Sequence, residues 1–202
     1  LKHTRQLLLN NKHFEFKKLF NCQNPNHIIS ELFYVIANLY SSDEQYNLSN
    51  FYLKISLFLN NNFYPNKILL AENYYFLNMY TESKKIYYSV ENKGSIFSWF
   101  TKRKIALIIS KTSKNDEGIK YLEREFKKIK EPEASNLFDL ANFYKSNSKY
   151  EKSIKYYTLL LEKLPKDHSL IPKILDRRGT SYERLKLWDK AEEDLKRSLE
   201  LS

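Results

Sequence analysis

Small, aromatic and leucine-like positions return along this chain at one irregular step. Ala37, Ala71, Ala106, Ala141 and Gly179 lie 34, 35, 35 and 38 residues apart. Tyr40, Tyr74, Ile109, Tyr144 and Tyr182 keep the same intervals, as do Tyr46, Tyr80, Asn115, Tyr150 and Trp188. Ser49, Ser83, Gly118, Ser153 and Ala191 form a fourth column, and Leu53, Tyr87, Leu122, Tyr157 and Leu195 a fifth. One column could arise by chance, but shared irregular intervals require a structural unit of about 34 residues that stacks on itself. The small residue marks where one helix backbone approaches another, and the aromatics fill the space beside it. Six residues separate Tyr40 from Tyr46, room for a short turn between antiparallel helices, and SSDEQ, KSNSK and ERLKL fill that gap in three units. Each unit therefore reads as a helical hairpin.

The columns resemble the tetratricopeptide repeat (TPR), in which an aromatic, Leu-Gly/Ala, Tyr, a small residue, an aromatic and a closing Pro recur. Residues 134–165, closed by Pro165, and 172–202 match best. Units beginning near 30, 64 and 99 match less fully, with Asn61, Ser95 and Lys130 standing where the closing Pro belongs. The resemblance implies an all-α, right-handed superhelical solenoid of antiparallel helix hairpins. We expect about five units over 30–202, starting near 30, 64, 99, 134 and 172, in one continuous domain cut from a longer chain. Residues 1–29, with Leu7, Leu8, Leu9, Phe14, Phe16 and Phe20, read as a partial or degenerate N-terminal repeat. Leu195, Leu199 and Leu201 would then help form an apolar end that favours end-to-end association.

Composition supports a helical core. Three Gly and five Pro in 202 residues leave few turn formers for a β-rich domain, and 42% hydrophobic residues suffice for layered helices. The longest apolar runs, such as Ile105 to Ile109, fall far short of the roughly 18 residues a membrane span needs. A soluble chain with no membrane insertion is expected, cytoplasmic by default, with the periplasm left open because the true N-terminus is absent. The single Cys22 cannot form an internal disulfide.

The net charge of +10 is uneven: residues 1–100 contribute +3 and residues 101–202 contribute +7, while 21 of 31 aromatics precede residue 101. Such a chain can steer acidic partners toward aromatic anchors, or merely solvate its outer helices with Lys and Arg. Candidate chemistry is sparse. The four histidines keep no three- or four-residue metal-binding spacing, the three glycines form no phosphate-cradling loop, and Glu192, Glu193 and Asp194 point in different directions on a helix. No catalytic residue, metal or cofactor is assigned, and an enzyme is not expected.

By the TPR resemblance, a peptide or partner segment lies in the concave groove lined by first helices. Carried onto this chain, the groove positions include Tyr34, Asn38, Glu72 and Tyr75, then Arg103, then Phe138, Asn142 and Lys173, with Arg177 beside them. An asparagine there can donate to and accept from a peptide backbone at once. The clamp by which some TPR proteins hold acidic chaperone tails is matched by Arg103, Lys173 and Arg177, but Leu107 and Asp139 stand where Asn is expected. The leading reading is a non-catalytic protein-interaction scaffold. Alternatives are nucleic-acid binding by the basic half, where Lys127, Lys128 and Lys130 are expected to flank Phe126 on one helix, and homo-oligomerisation through apolar ends.

Overall fold

The computed structural model describes residues 20–113 and 116–201, with only the helical backbone at 95 and 96. Residues 1–19, where most of the expected partial repeat falls, and Asn115 of the third column lie outside the described residues. The chain divides into two compact units, Leu1–Ser113 and Lys114–Ser202. The described part of the first holds α1 (Pro25–Ser42), α2 (Tyr46–Leu59), α3 (Tyr64–Phe76), α4 (Tyr80–Val90) and α5 (Ser95–Thr112). The second holds α6 (Glu117–Lys127), α7 (Ala134–Ser146), α8 (Tyr150–Lys163), α9 (Ile171–Arg184) and α10 (Trp188–Glu200). The expected all-α class is found, with helices packing in sequence within each unit: α1 on α2, α3 on α4, α7 on α8, α9 on α10, and each second helix against the next first helix.

Local signals start several helices. Asn24 caps α1 by accepting the Asn26 N–H at 3.0 Å, with Pro25 pre-setting the first turn. Glu133 and Asn136 form a reciprocal capping box on α7.

Small residues sit at the crossings of the hairpins within each unit, and Ala106 of α5 is buried likewise. Ala37, Ala71 and Ala141 are wholly buried, and a Cβ at Gly179 would lie 2.9 Å from Leu195 Cγ. Leu195 is thereby turned toward α9, whereas Leu199 and Leu201 are exposed; the expected apolar end thus loses one member to the hairpin's interior. The facing serines do more than fill space. Ser49 Oγ donates to the Ala37 carbonyl at 2.8 Å, and Ser83 Oγ to the Ala71 carbonyl at 2.7 Å, so each hydroxyl ties the paired helix at its point of closest approach.

Successive hairpins are joined by polar seams as well as apolar ones. Asn73 donates to Ser49 Oγ and Asn50 Oδ1 and accepts from Ser41 Oγ, linking α3 to α2 and α1. Asn66 donates to Ser56 Oγ, which in turn donates to the Ser30 carbonyl. Because these groups are buried, their pairing fixes the lateral register of α2 and α3: a slip would leave several of them unsatisfied. In the second unit, Arg178 grips Asp194 through Nε and Nη2, both at 2.7 Å, and donates to Thr158 Oγ1 at 2.9 Å, joining α8, α9 and α10.

Four intra-hairpin turns share one backbone. Glu44, Asn78, Ser148 and Lys186 adopt left-handed φ of 59–60°. One residue later, the N–H of Gln45, Met79, Lys149 and Leu187 donates back to the carbonyl of Tyr40, Tyr74, Tyr144 and Tyr182. This is the Schellman closure, in which the repeated tyrosine contributes the accepting carbonyl. The turn between α5 and α6 departs from it. Its aromatic position holds Ile109, α5 ends in extended Ser113, and the left-handed residue is Asp116, directly before α6.

Lys186→Gly and Glu44→Gly should each stabilise the fold by about 0.5–1 kcal/mol, since left-handed backbone strains a side chain more than glycine's extra freedom costs. Denaturant midpoints at unchanged slope would show this, and a lower midpoint would count against it. Gly179→Ala should destabilise by about 1–3 kcal/mol by pushing Leu195 away, read in the same experiment.

Candidate functional site

First helices carry the candidate site, and each unit presents its own face. In the first unit, two of the expected residues are drawn into the framework. The Tyr34 ring packs on the core of Ala37, Leu53 and Leu70 and meets Phe63 edge-on at 5.1 Å. Asn38 makes a long, 3.4 Å bond to its own helix at the Tyr34 carbonyl.

The remaining first-unit residues assemble across α3 and α5. Glu72 accepts from Lys104 Nζ at 2.6 Å, and Lys104 also lies 5.3 Å from the Phe100 ring. The Arg103 guanidinium is 5.7 Å from the same ring. Tyr75 sits edge-on to Tyr80 and carries Lys111 over its face at 5.3 Å. A hydrogen bond to Tyr75 and the tyrosine's negative charge when ionised hold the Lys111 ammonium above its ordinary value. Beneath them, Tyr87 is buried; burial first, then Glu72 and Tyr75, pushes its phenol far up, so it stays neutral.

The second unit gathers its residues on α7 and α9. Phe138 packs against the core that contains Tyr157, and its ring is flanked by Lys173 Nζ and Arg177 Cζ, each 5.9 Å from the centroid. Asn142 Oδ1 accepts from the Tyr157 hydroxyl at 2.7 Å, and burial pushes that phenol up to about 12 despite the nearby Arg177 charge. Lys145 reaches across to Thr180 Oγ1. Burial pulls the Lys145 ammonium below the ordinary lysine value and the Arg177 charge lowers it further, with Asp176 opposing. Arg177 keeps one buried donor, Nε, without a protein partner. The result is a half-buried aromatic ring within a crowd of cations.

Sequence reasoning placed Phe138, Asn142, Lys173 and Arg177 on one face, and the structure brings them together. It left Lys104 and Tyr157 out of the site. Lys104 lies 32 residues from its partner Glu72, off the repeat step, and Tyr157 belongs to a core column. The Phe126 reading needs correction: α6 ends at Lys127, so Lys128 and Lys130 are not on the same helix. Phe126 itself packs edge-on against Tyr156 at 6.0 Å, beside the core, because its side of α6 faces α7 and α8. Among the described residues, no group of three or more His, Cys, Asp and Glu side chains is placed to hold a metal. Nor is any helix among them long and apolar enough to cross a membrane.

No protein-family model and no curated protein matches the sequence. Solved structures do match. BtubC (BKLC) from P. vanneervenii aligns with a TM-score of 0.66 at 15% identity, over 99% of this chain and 85% of that one. A Podosopora anserina kinesin light chain protein of nearly identical TPR-like repeats aligns at 0.63 and 13% identity, over 85% of this chain and 93% of that one. The Cut9–Hcn1 hetero-tetramer of the APC/C matches at 0.55 and 15% identity, over 86% of this chain but 33% of that one. With the sequential hairpins and repeated columns, these likenesses define the class: the chain has the tetratricopeptide-repeat fold.

Arg177→Gln should raise the Lys145 pKa toward its ordinary value, because it removes a like charge from a half-buried ammonium. Side-chain Nζ chemical shifts followed against pH would report it. An unmoved Lys145 titration would mean that the two charges do not sense each other.

Proposed function

We propose that this chain is a non-catalytic protein-interaction scaffold that holds a partner segment on its first-helix faces, with the second unit selecting an acidic one. The observation that carries the proposal is the convergence of Lys173 and Arg177 on the Phe138 ring, with Lys145 near enough to Arg177 to sense its charge. Burial is the larger cause of the depressed Lys145 pKa and the Arg177 charge the second, with Asp176 and Glu183 offsetting only part of it. A carboxylate arriving there relieves it. Phe138 supplies the neighbouring apolar contact, so a peptide with acidic residues beside a leucine or phenylalanine fits both features.

The first-unit face is of another kind. Its carboxylate, Glu72, is already paired with Lys104, and Arg103 and Lys111 lie over the Phe100 and Tyr75 rings. It suits main-chain hydrogen bonding and aromatic contact more than charge selection. The Cut9–Hcn1 assembly, a protein complex built on this fold, supports the general class.

The test is fluorescence anisotropy with two labelled ten-residue peptides, one of Asp, Glu and Leu and one of Lys, Arg and Leu. The acidic peptide should bind and the basic one should not. Lys173→Glu with Arg177→Glu should weaken binding at least tenfold, about 1.4 kcal/mol, with helical circular dichroism unchanged. Affinity should also fall as salt screens the exposed charges. Equal affinity in the charge-reversed variant, or equal binding of both peptides, would overturn the proposal.

A further inference from the structure

The outer side of α1 carries Ile28, Leu32, Val35 and Leu39 at spacings of four, three and four, all half or more exposed. That spacing places them in one stripe along a helix, as in a seam between two packed helices. A contiguous exposed apolar stripe on a described helix marks a docking surface. Internal repetition identifies what it docks.

Leu32 and Leu39 correspond, one repeat on, to Asn66 and Asn73 of α3, both wholly buried and both bonded to the preceding second helix, α2. A further repeat gives Thr101 and Ile108 of α5, again buried, on a helix that packs against α4. One step on, Asn136 is spent in the capping box of α7 and Phe143 is buried; a step further, Ile174 and Ser181 of α9 are fully buried where α9 packs on α8. These two repeat positions are thus the ones that receive the second helix of the preceding hairpin. On α1 they are leucines at 57% and 65% exposure. The stripe continues an interface that the same chain makes three times elsewhere, with apolar groups in place of the Asn and Ser partners of the α2/α3 seam.

The chain immediately before α1 is held against that helix. The Asn21 N–H donates to His27 Nδ1 at 3.0 Å, the Asn24 N–H to the Asn21 carbonyl at 3.0 Å, and the Phe20 ring lies 6.2 Å from the His27 ring. Upstream lie 19 residues bearing Leu7, Leu8, Leu9, Phe14, Phe16 and Leu19, an apolar complement to a stripe of four aliphatic side chains.

We infer that the α1 stripe is a docking face for a preceding second helix, and that residues 1–19 of the same chain supply its occupant. The face is then internal to the chain and separate from the first-helix surfaces assigned to partners. It would present aliphatic side chains to an aliphatic and aromatic segment, a dry contact without the buried amides of the α2/α3 seam. Apolar burial needs no exact hydrogen-bond register, so the match can tolerate a degenerate repeat in a way that the Asn73 network cannot.

The experiment is paramagnetic relaxation enhancement on the full chain. A nitroxide is attached at Glu31→Cys in a Cys22→Ser background, since Glu31 is exposed beside the stripe without belonging to it. Amide signals of residues 7–19 should broaden, and the broadening should persist when the labelled protein is diluted with unlabelled, isotope-free protein. The further change Leu32→Asp with Leu39→Asp should abolish it while the circular dichroism of the other helices remains. Absence of broadening at 7–19 would overturn the inference, as would broadening that survives the double substitution. Broadening transmitted from spin-labelled copies to isotope-labelled copies would assign the stripe to a second molecule and overturn it equally.

Discussion

Close approach of two helix backbones at one small residue per hairpin is the constraint from which the rest of this structure follows. At Ala37, Ala71 and Ala141 the side chain is wholly buried, and at Gly179 even a methyl group would collide with Leu195. When helices come that near, the backbone carbonyls of one lie within reach of short side chains on the other. Ser49 and Ser83 use that reach, each donating to the carbonyl of the residue that permitted the contact. A larger residue at either alanine would separate its two helices and strand the serine hydroxyl facing it in a dry interior, so packing and hydrogen bonding fail together rather than independently.

The same geometry dictates the turns. A hairpin that closes within four residues must reverse direction through a left-handed residue, and four of the five turns do so with identical back-bonding to the repeated tyrosine. Tyr40, Tyr74, Tyr144 and Tyr182 thus join the packing beside the crossing to the closure of the turn. Where the third unit has Ile109, the closure is replaced by an extended Ser113 and a later left-handed Asp116. That departure coincides with the boundary between the two compact units.

How much of this was legible depends on what each residue does. The small and aromatic columns were visible because steric demands select residue size at a fixed interval, and size is readable from letters. The left-handed positions were not, because Glu44, Asn78, Ser148 and Lys186 share no side-chain property and glycine, the usual signal, is missing from all four. The serines at 49 and 83 look like weak substitutes for alanine until their acceptors are known. Phe138, Lys173 and Arg177, which we propose as ligand contacts, could be placed on one face from repeat position. Tyr34 was placed in the groove but spends its ring on the core, since Phe63 from the next linker covers it. The Glu72–Lys104 pair was invisible because its two members occupy different repeat positions.

The second-unit face gains its chemical bias from a buried partner. The Tyr157 hydroxyl, with its phenol held neutral up to about 12, donates to Asn142 Oδ1, which commits that oxygen to the core side and makes the amide nitrogen the group Asn142 can offer outward. Lys145, Lys173 and Arg177 are likewise donors without acceptor capacity. On the function proposed for it, this face would favour carboxylates and backbone carbonyls over ammonium and amide N–H groups, by hydrogen-bond polarity as well as by charge. Tyr157 lies in the core column that spaces the helices, so the residue that packs α8 against α7 also orients the Asn142 amide.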